Sequence, residues 1–390
     1  MKSLNTYVIE GLADWSDDKL DKKISKQTSR TVIKKEITDW IVNNTYGRIY
    51  KNKLKFNFDT DPITIDYEGD IELNWKVESL TNGLFQWGNI GENFNCKGTR
   101  ITSLEGAPKK VKWFNCSHTN IESLEGCPEN TLRFECISCP KLKTLEGGPK
   151  QTIGYFCESC ENLESLKGGP ISTKKFSCFN CPKLKSLDGC PQQAEDFNCR
   201  KCYNITSLKG CPKELLGDFD CSGTGIKNLK GGPIKAKNYN CSECKNLVSL
   251  DGGPEQVGFN FYCYNCPKLK SLEKGPEIIH PESNSTYDCS GTAIKDLKGA
   301  PEKVQRFICN SCDNLISLEG CPHADYLIDA QCCPNLKSLK HIPLDAKCNL
   351  MVNSTPIEDV GDLYNSMIKF IYFSQNCPAK DELRKYLNMK

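Results

Sequence analysis

The sequence predicts a repeat solenoid, in which short parallel strands stack into one sheet and extended or turn-like segments close each turn on the other side. Three observations predict it. A unit of the form F-x-C-x-x-(C/T)-x-(x)-L-x-S-L-x-G-x-P recurs about a dozen times, with a period of mostly 20–22 residues. Within it, F-x-C alternates apolar and polar residues, which is strand periodicity, over a stretch too short to be stable alone. The Ser-Leu-x-Gly-x-Pro that follows can neither continue a strand nor build a long helix, because Gly supplies permissive backbone angles and Pro fixes a turn.

Repeats begin near Phe94, Phe114, Phe134, Tyr155, Phe176, Phe197, Phe219, Tyr239, Phe261, Tyr287, Phe307 and Ile328, with a degenerate copy at Leu350. Two versions alternate irregularly. The short one carries Thr with Ile two residues on, as in Thr119/Ile121, Thr224/Ile226 and Thr292/Ile294. The long one carries Cys with Leu three residues on, as in Cys139/Leu142 and Cys181/Leu184.

The run Val111-Lys-Trp-Phe114-Asn-Cys116-Ser-His-Thr119-Asn-Ile121 resembles the leucine-rich-repeat signature L-x-x-L-x-L-x-x-N/C-x-L. Leu124-Glu-Gly-Cys-Pro128 resembles the turn of short bacterial effector-type repeats, and the SLEGxP arrays are similar to those of bacteriophage leucine-rich-repeat proteins. The resemblance covers residues 94–357. It implies a parallel sheet on a concave face and partner binding through that face.

Three regions follow. Residues 1–93 read as a small α+β N-terminal cap, since a solenoid must shield its terminal apolar faces. In it Thr31–Val42 is expected to be an amphipathic helix, with Val32, Ile33, Ile37, Trp40 and Ile41 on one side. Lys53–Phe58, Ile63–Tyr67 and Ile71–Trp75 are expected as strands, and Trp75 to Leu80 as an imperfect first repeat. Residues 94–357 form the solenoid of about 13 repeats. Residues 358–390 read as a helical C-terminal cap, with Glu358–Ser374 and Ala379–Leu387 helical and Pro378 breaking between them.

Lys and Arg number 51 against 49 Asp and Glu, a net charge of +2. That balance supplies no bulk field for nucleic acid or an anionic membrane. No stretch approaches the roughly 20 apolar residues of a membrane span. The opening segment lacks an apolar core of signal-peptide length, so the expected location is cytoplasmic, host cytoplasm if the chain is viral.

The 26 cysteines fall in register with the repeat. Eleven take the F-x-C position (Cys96 to Cys309), eight the position three residues on (Cys139 to Cys333), and four the Gly-x-Pro slot (Cys127, Cys190, Cys211, Cys321). Only Cys332, Cys348 and Cys377 are out of register. Seven C-x-x-C pairs suggest zinc knuckles. Packing is the better reading, because Thr, which is no thiolate ligand, replaces the second Cys at Thr119, Thr224 and Thr292, and buried Cys behaves as a small apolar residue.

No phosphate loop, nucleophile elbow or H-E-x-x-H is present, and His118, His280, His323 and His341 have no metal-ligand spacing. The expectation is a non-catalytic scaffold without cofactor or metal. Outward strand positions are mostly polar, with exceptions: Trp113, Ile137, Phe156, Phe179, Tyr262, Tyr264 and Ile308. Ile137, Phe156 and Phe179 come from consecutive repeats and are expected side by side. With Arg133, Arg200 and Arg306 they make the candidate protein-binding surface, since interface hot spots favour aromatics and Arg. The expected partner is a host protein, such as one of a defence pathway; the alternative is a virion or assembly component that self-associates. The spacer at Glu277–Thr286, with Pro276 and Pro281, is expected to bulge as a second contact or to be a silent insertion.

Overall fold

The computed structural model describes residues 20–47, 49–280 and 284–389. The chain forms a parallel-strand solenoid of about 15 turns, the leucine-rich-repeat architecture the sequence predicts. It divides into two compact units, the first running to Leu163 and including Lys167–Pro170, the second comprising Glu164–Leu166 and everything from Ile171.

In the first unit, helix α1 (Leu20–Asn44) buries Ile37 and Ile41 and sets Trp40 edge-on to Phe85 at 5.4 Å. The helix begins before the expected Thr31, and Val32 lies on its exposed side, 59% accessible. A three-stranded sheet of Leu54–Asn57, Ile63–Tyr67 and Phe85–Ile90 accompanies it. The strand Phe85–Ile90 escapes the sequence reading because no repeat motif marks it. Its Phe85 and Trp87 lead into the solenoid: Trp87 sits 5.3 Å from Phe85 and 5.5 Å from Phe94, and its indole N–H donates to the Leu80 carbonyl at 2.9 Å. The first turn starts at Ile71, not at Trp75. Ile71 pairs with Phe94 in parallel register and is buried with Leu73, Val77 and Leu80, whereas Trp75 is half exposed.

From there each turn repeats one plan. The Phe or Tyr and the Cys of F-x-C point inward and are buried throughout. Parallel strands lie about 4.8 Å apart, within the roughly 4.5–7 Å at which ring centroids pack favourably, so the inward rings follow one another from turn to turn. In the first unit Phe94, Phe114, Phe134 and Tyr155 follow one another at centroid distances of 5.7, 6.0 and 5.0 Å. In the second unit the file runs from Phe176 through Phe197, Phe219, Tyr239, Phe261 and Tyr287 to Phe307, at 4.8 to 5.9 Å.

The residue two places after the F-x-C Cys takes left-handed backbone angles, as in His118 (φ 57°), Ser138 (φ 53°) and Gly223 (φ 67°). This flips its amide toward the next turn, so that His118 N–H donates to the Ile137 carbonyl and Gly223 N–H to that of Ser242.

The far end departs from expectation. Glu358–Ser374 is not a helix: it holds a 3-10 turn at Leu363–Asn365 and a strand, Phe370–Phe373, that pairs in parallel with Asn349–Val352. Phe370-Ile-Tyr-Phe373 is aromatic and β-branched, which favours a strand, and Ile371 supplies the buried inward position. Helix α2 (Lys380–Met389) then buries Leu383 and Tyr386. The spacer after Pro276 does not simply bulge: Ile278–Ile279 pairs with Gln256 and Val257, and Ile279 is buried. Pro281 lies outside the described residues.

Tyr and Phe at the inward position are coupled to the Gly-x-Pro slot. Gly before Pro precedes each repeat that carries Tyr (Gly148 before Tyr155, Gly232 before Tyr239, Gly275 before Tyr287) and two that carry Phe (Gly169 before Phe176, Gly253 before Phe261), whereas Cys or Ala there always precedes Phe or Ile. A Cβ on Gly232 would meet the Tyr239 hydroxyl and the Leu208 Cδ1 at 2.9 Å. The tyrosine oxygen therefore fills the space that a slot side chain takes elsewhere. Gly232→Ala is expected to destabilise by about 1–3 kcal/mol, the usual cost of overpacking. Adding Tyr239→Phe should recover much of that loss in a double-mutant cycle read by chemical unfolding; additive losses would contradict the coupling.

Candidate protein-binding surface

The thiols come first, because their number suggests chemistry. The Sγ of the second Cys in a long repeat donates to the carbonyl of the F-x-C Cys in the turn before: Cys139 to Cys116 (3.4 Å), Cys160 to Cys136 (3.1 Å), Cys202 to Cys178 (3.1 Å), Cys244 to Cys221 (3.4 Å) and Cys312 to Cys289 (3.4 Å). In the short repeats the Thr hydroxyl donates instead to its own turn's carbonyl, as Thr119 does to Cys116 (2.6 Å) and Thr224 to Cys221 (2.7 Å). Cys and Thr are thus alternative donors within one buried row, which accounts for their exchange. No group of three or more His, Cys, Asp or Glu side chains is arranged to hold a metal among the described residues.

Burial pushes most of the thiols up: Cys116, Cys199, Cys221 and Cys241 lie well above the ordinary value, and slot thiols Cys127 and Cys190 are pushed up to about 12. Cys160 and Cys202 go the other way, held below the ordinary value by hydrogen bonds with Cys136 and Cys139 and with Cys178 and Cys181. Protonated, enclosed thiols are poor nucleophiles. His323 is the histidine with carboxylate neighbours, Asp325 at 3.6 Å and Asp345 at 3.3 Å.

The other face of the sheet carries the ten residues expected to bind. None of Trp113, Arg133, Ile137, Phe156, Phe179, Arg200, Tyr262, Tyr264, Arg306 and Ile308 is in the core; all are half-buried or exposed, opposite in sense to their inward neighbours. One feature organises this face. The middle residue of F-x-C is usually Asn or Asp, whose side chain accepts the backbone N–H two residues on: Asn95 from Lys97, Asn115 from Ser117, Asn198 from Arg200, Asp220 from Ser222, Asn240 from Ser242, Asp288 from Ser290 and Asp329 from Gln331, at 2.9 to 3.1 Å. These side chains form local turns. Glu135, Phe156, Tyr262 and Ile308 occupy the same slot and give up that bond.

In the first unit, Trp113, Arg133 and Gly154 align across three neighbouring strands, with Glu135 beside Phe156. The Arg133 guanidinium lies 4.8 Å from the Phe156 ring and 6.0 Å from that of Trp113, while its Nε donates to Glu135 Oε1 at 2.5 Å. Gly154 leaves the room Phe156 needs, since a Cβ there would meet the ring at 2.7 Å. Leu132 and Ile153, both about half exposed, flank the cluster. The Trp113 indole N–H is buried with no hydrogen-bond partner among the described residues.

In the second unit, Phe179 has the Lys201 ammonium 5.9 Å from its ring, Tyr262 and Tyr264 meet edge-on at 6.3 Å, and Arg306 lies 5.5 Å from Tyr326. Phe156 and Phe179, expected side by side, belong to different units. The sequence reading missed Glu135, Gly154, Leu132, Ile153 and Tyr326. A lone Gly inside a strand pattern, and Glu in an Asn slot, were the available signals. It also missed a cleft of 290 Å³ lined by Leu215, Leu216, Ala236, Lys237, Phe259 and His280.

No family model and no curated protein matches the chain. Solved structures similar to it include YopM from Yersinia enterocolitica WA-314, at 14% identity over 78% of this chain and 77% of that one, with a TM-score of 0.31. Another is the functional domain of InlJ from Listeria monocytogenes, described as including a cysteine ladder, at 16% identity over 72% and 68% of the two chains and a TM-score of 0.31. No helix among the described residues is long and apolar enough to cross a membrane.

Cys332 is the one thiol among the described residues classed as exposed, placed at the left-handed position of its turn (φ 52°). A thiol reagent such as Ellman's should therefore label one cysteine rapidly in the native protein, and Cys332→Ser should abolish that phase. Several fast-reacting thiols would show that the buried rows open readily.

Proposed function

We propose that the chain is a non-catalytic scaffold that binds another protein through the exposed face of its sheet, with Trp113, Arg133 and Phe156 as the anchor in the first unit. What carries this reading is the exchange at the Asn slot. In seven turns an Asn or Asp in the slot supports the turn; at Phe156 it gives up a backbone hydrogen bond to hold a large apolar ring at the surface, braced by Arg133 and given room by Gly154. Aromatic and Arg side chains on a rigid sheet suit a binding hot spot, because little conformational freedom remains to be lost on association. The likeness of the SLEGxP arrays to bacteriophage repeat proteins makes a protein of the infected host the partner class of first choice.

Phe156→Asn separates binding from stability. Asn restores the turn bond found in the other repeats, so the thermal midpoint should hold or rise, while a protein captured stoichiometrically by the wild type should be lost or weakened by 10-fold or more, about 1.4 kcal/mol. Undiminished capture by a folded Phe156→Asn protein would refute this placement of the anchor.

A further inference from the structure

We infer that the sheet face of the second unit between Asp220 and Asp329 binds a cationic peptide segment, with an arginine or lysine of the partner held between Tyr262, Tyr264 and Asp288. The inference rests on the sheet face being the binding surface, and adds the chemistry of what binds there.

Register places Asp220, Asn240, Tyr262, Asp288, Ile308 and Asp329 in one row across six neighbouring strands. Asp288 Oδ1 accepts both the Ser290 N–H (2.9 Å) and the Ser290 hydroxyl (2.6 Å), and its Oδ2 has no hydrogen-bond partner among the described residues. Asp220 and Asp329 likewise commit Oδ1 to their own turns, and among the described residues their Oδ2 atoms receive only long bonds from Asn240 (3.4 Å) and Asn310 (3.5 Å).

Neither Lys nor Arg pairs with any of these three carboxylates among the described residues. The contrast with the turn side is sharp, because there acid and base alternate from turn to turn: Lys230 pairs with Asp251 (2.7 Å), Lys298 with Glu319 (3.0 Å) and Lys337 with Glu358 (2.8 Å). Two cations of this unit lie over rings instead, Arg306 over Tyr326 at 5.5 Å and Lys237 over Phe259 at 5.3 Å. What remains is a row of three carboxylates without an ion pair among the described residues, with two half-buried tyrosine rings in it. Burial, with Asp329 adding, holds the Asp288 carboxyl above the usual carboxylate range, a cost that an incoming cation would relieve.

Guanidinium groups stack on aromatic faces and bind carboxylates through paired donors, so this row fits arginine above all. Five strand spacings make the row about 24 Å long, the reach of about seven extended residues. The same field repels nucleic acid and anionic membranes.

The test is fluorescence anisotropy of the full chain with two labelled peptides, Gly-Arg-Lys-Arg-Lys-Arg-Gly and Gly-Glu-Asp-Glu-Asp-Glu-Gly, at low ionic strength. The basic peptide should bind at least 10-fold tighter than the acidic one. The triple variant Asp220→Asn, Asp288→Asn, Asp329→Asn should lose 10-fold or more and stay folded, because Asn already fills this slot in other turns. Tyr262→Asn, with the charges retained, should weaken binding severalfold, which a merely diffuse field would not produce. Equal binding of the two peptides, wild-type affinity in the triple variant, or indifference to Tyr262→Asn would overturn the inference. Phe156→Asn should leave peptide binding intact. If the peptide fails to bind while Phe156→Asn still loses its captured protein, the scaffold reading stands and the cationic partner falls.

Discussion

A strand of three residues has too few hydrogen bonds to hold itself, so a turn such as that of Phe114 exists only because its ring and thiol are covered by the turns on either side. Every inward slot is constrained by this stacking. The ring must match the strand spacing, the F-x-C thiol must be small, and the carbonyl of that Cys, buried with it, must find a donor. Cys in the next turn or Thr in the same turn supplies one, as Cys139 and Thr119 both do for Cys116. Burying each ring contributes on the order of 1.5–3 kcal/mol, so a solenoid draws its stability from many equal increments rather than from one central core.

The outer face carries no such obligation, and for that reason function is legible there. Asn and Asp in the slot between ring and thiol do a structural job that can be checked bond by bond. A residue in that slot that cannot do the job, such as Phe156 or Tyr262, stands out against a background made by the protein itself. The two units differ in what they offer: the first a Trp–Arg–Phe cluster with a paired Glu135, the second tyrosines among aspartates that form no ion pair among the described residues.

The repeats, their inward residues and the register of most cysteines were legible in the sequence because a single unit recurs often enough to average out its exceptions. The ends were not. Ile71 opens the stack without either Phe or Cys, and Ile371 closes it in a segment whose spacing of apolar residues also fits a helix; only pairing to Asn349–Val352 decides between them. Of the candidate site, in-or-out orientation followed from strand alternation, and all ten residues lie outside the core. Which of them meet did not follow, because the reach of Arg133 to Phe156 depends on Gly154 and Glu135, and the separation of the chain into two units has no mark in the repeat.

Whether the thiol rows are packing and hydrogen bonds, rather than metal ligands or cross-links, bears most directly on this account. The decisive measurement is thermal unfolding of the purified chain by circular dichroism, untreated and after exhaustive treatment with EDTA and a phosphine reductant. Buried rows bonded to carbonyls predict superimposable transitions with the sheet signal retained. A loss of sheet signal or a lowered midpoint on chelation or reduction would contradict it.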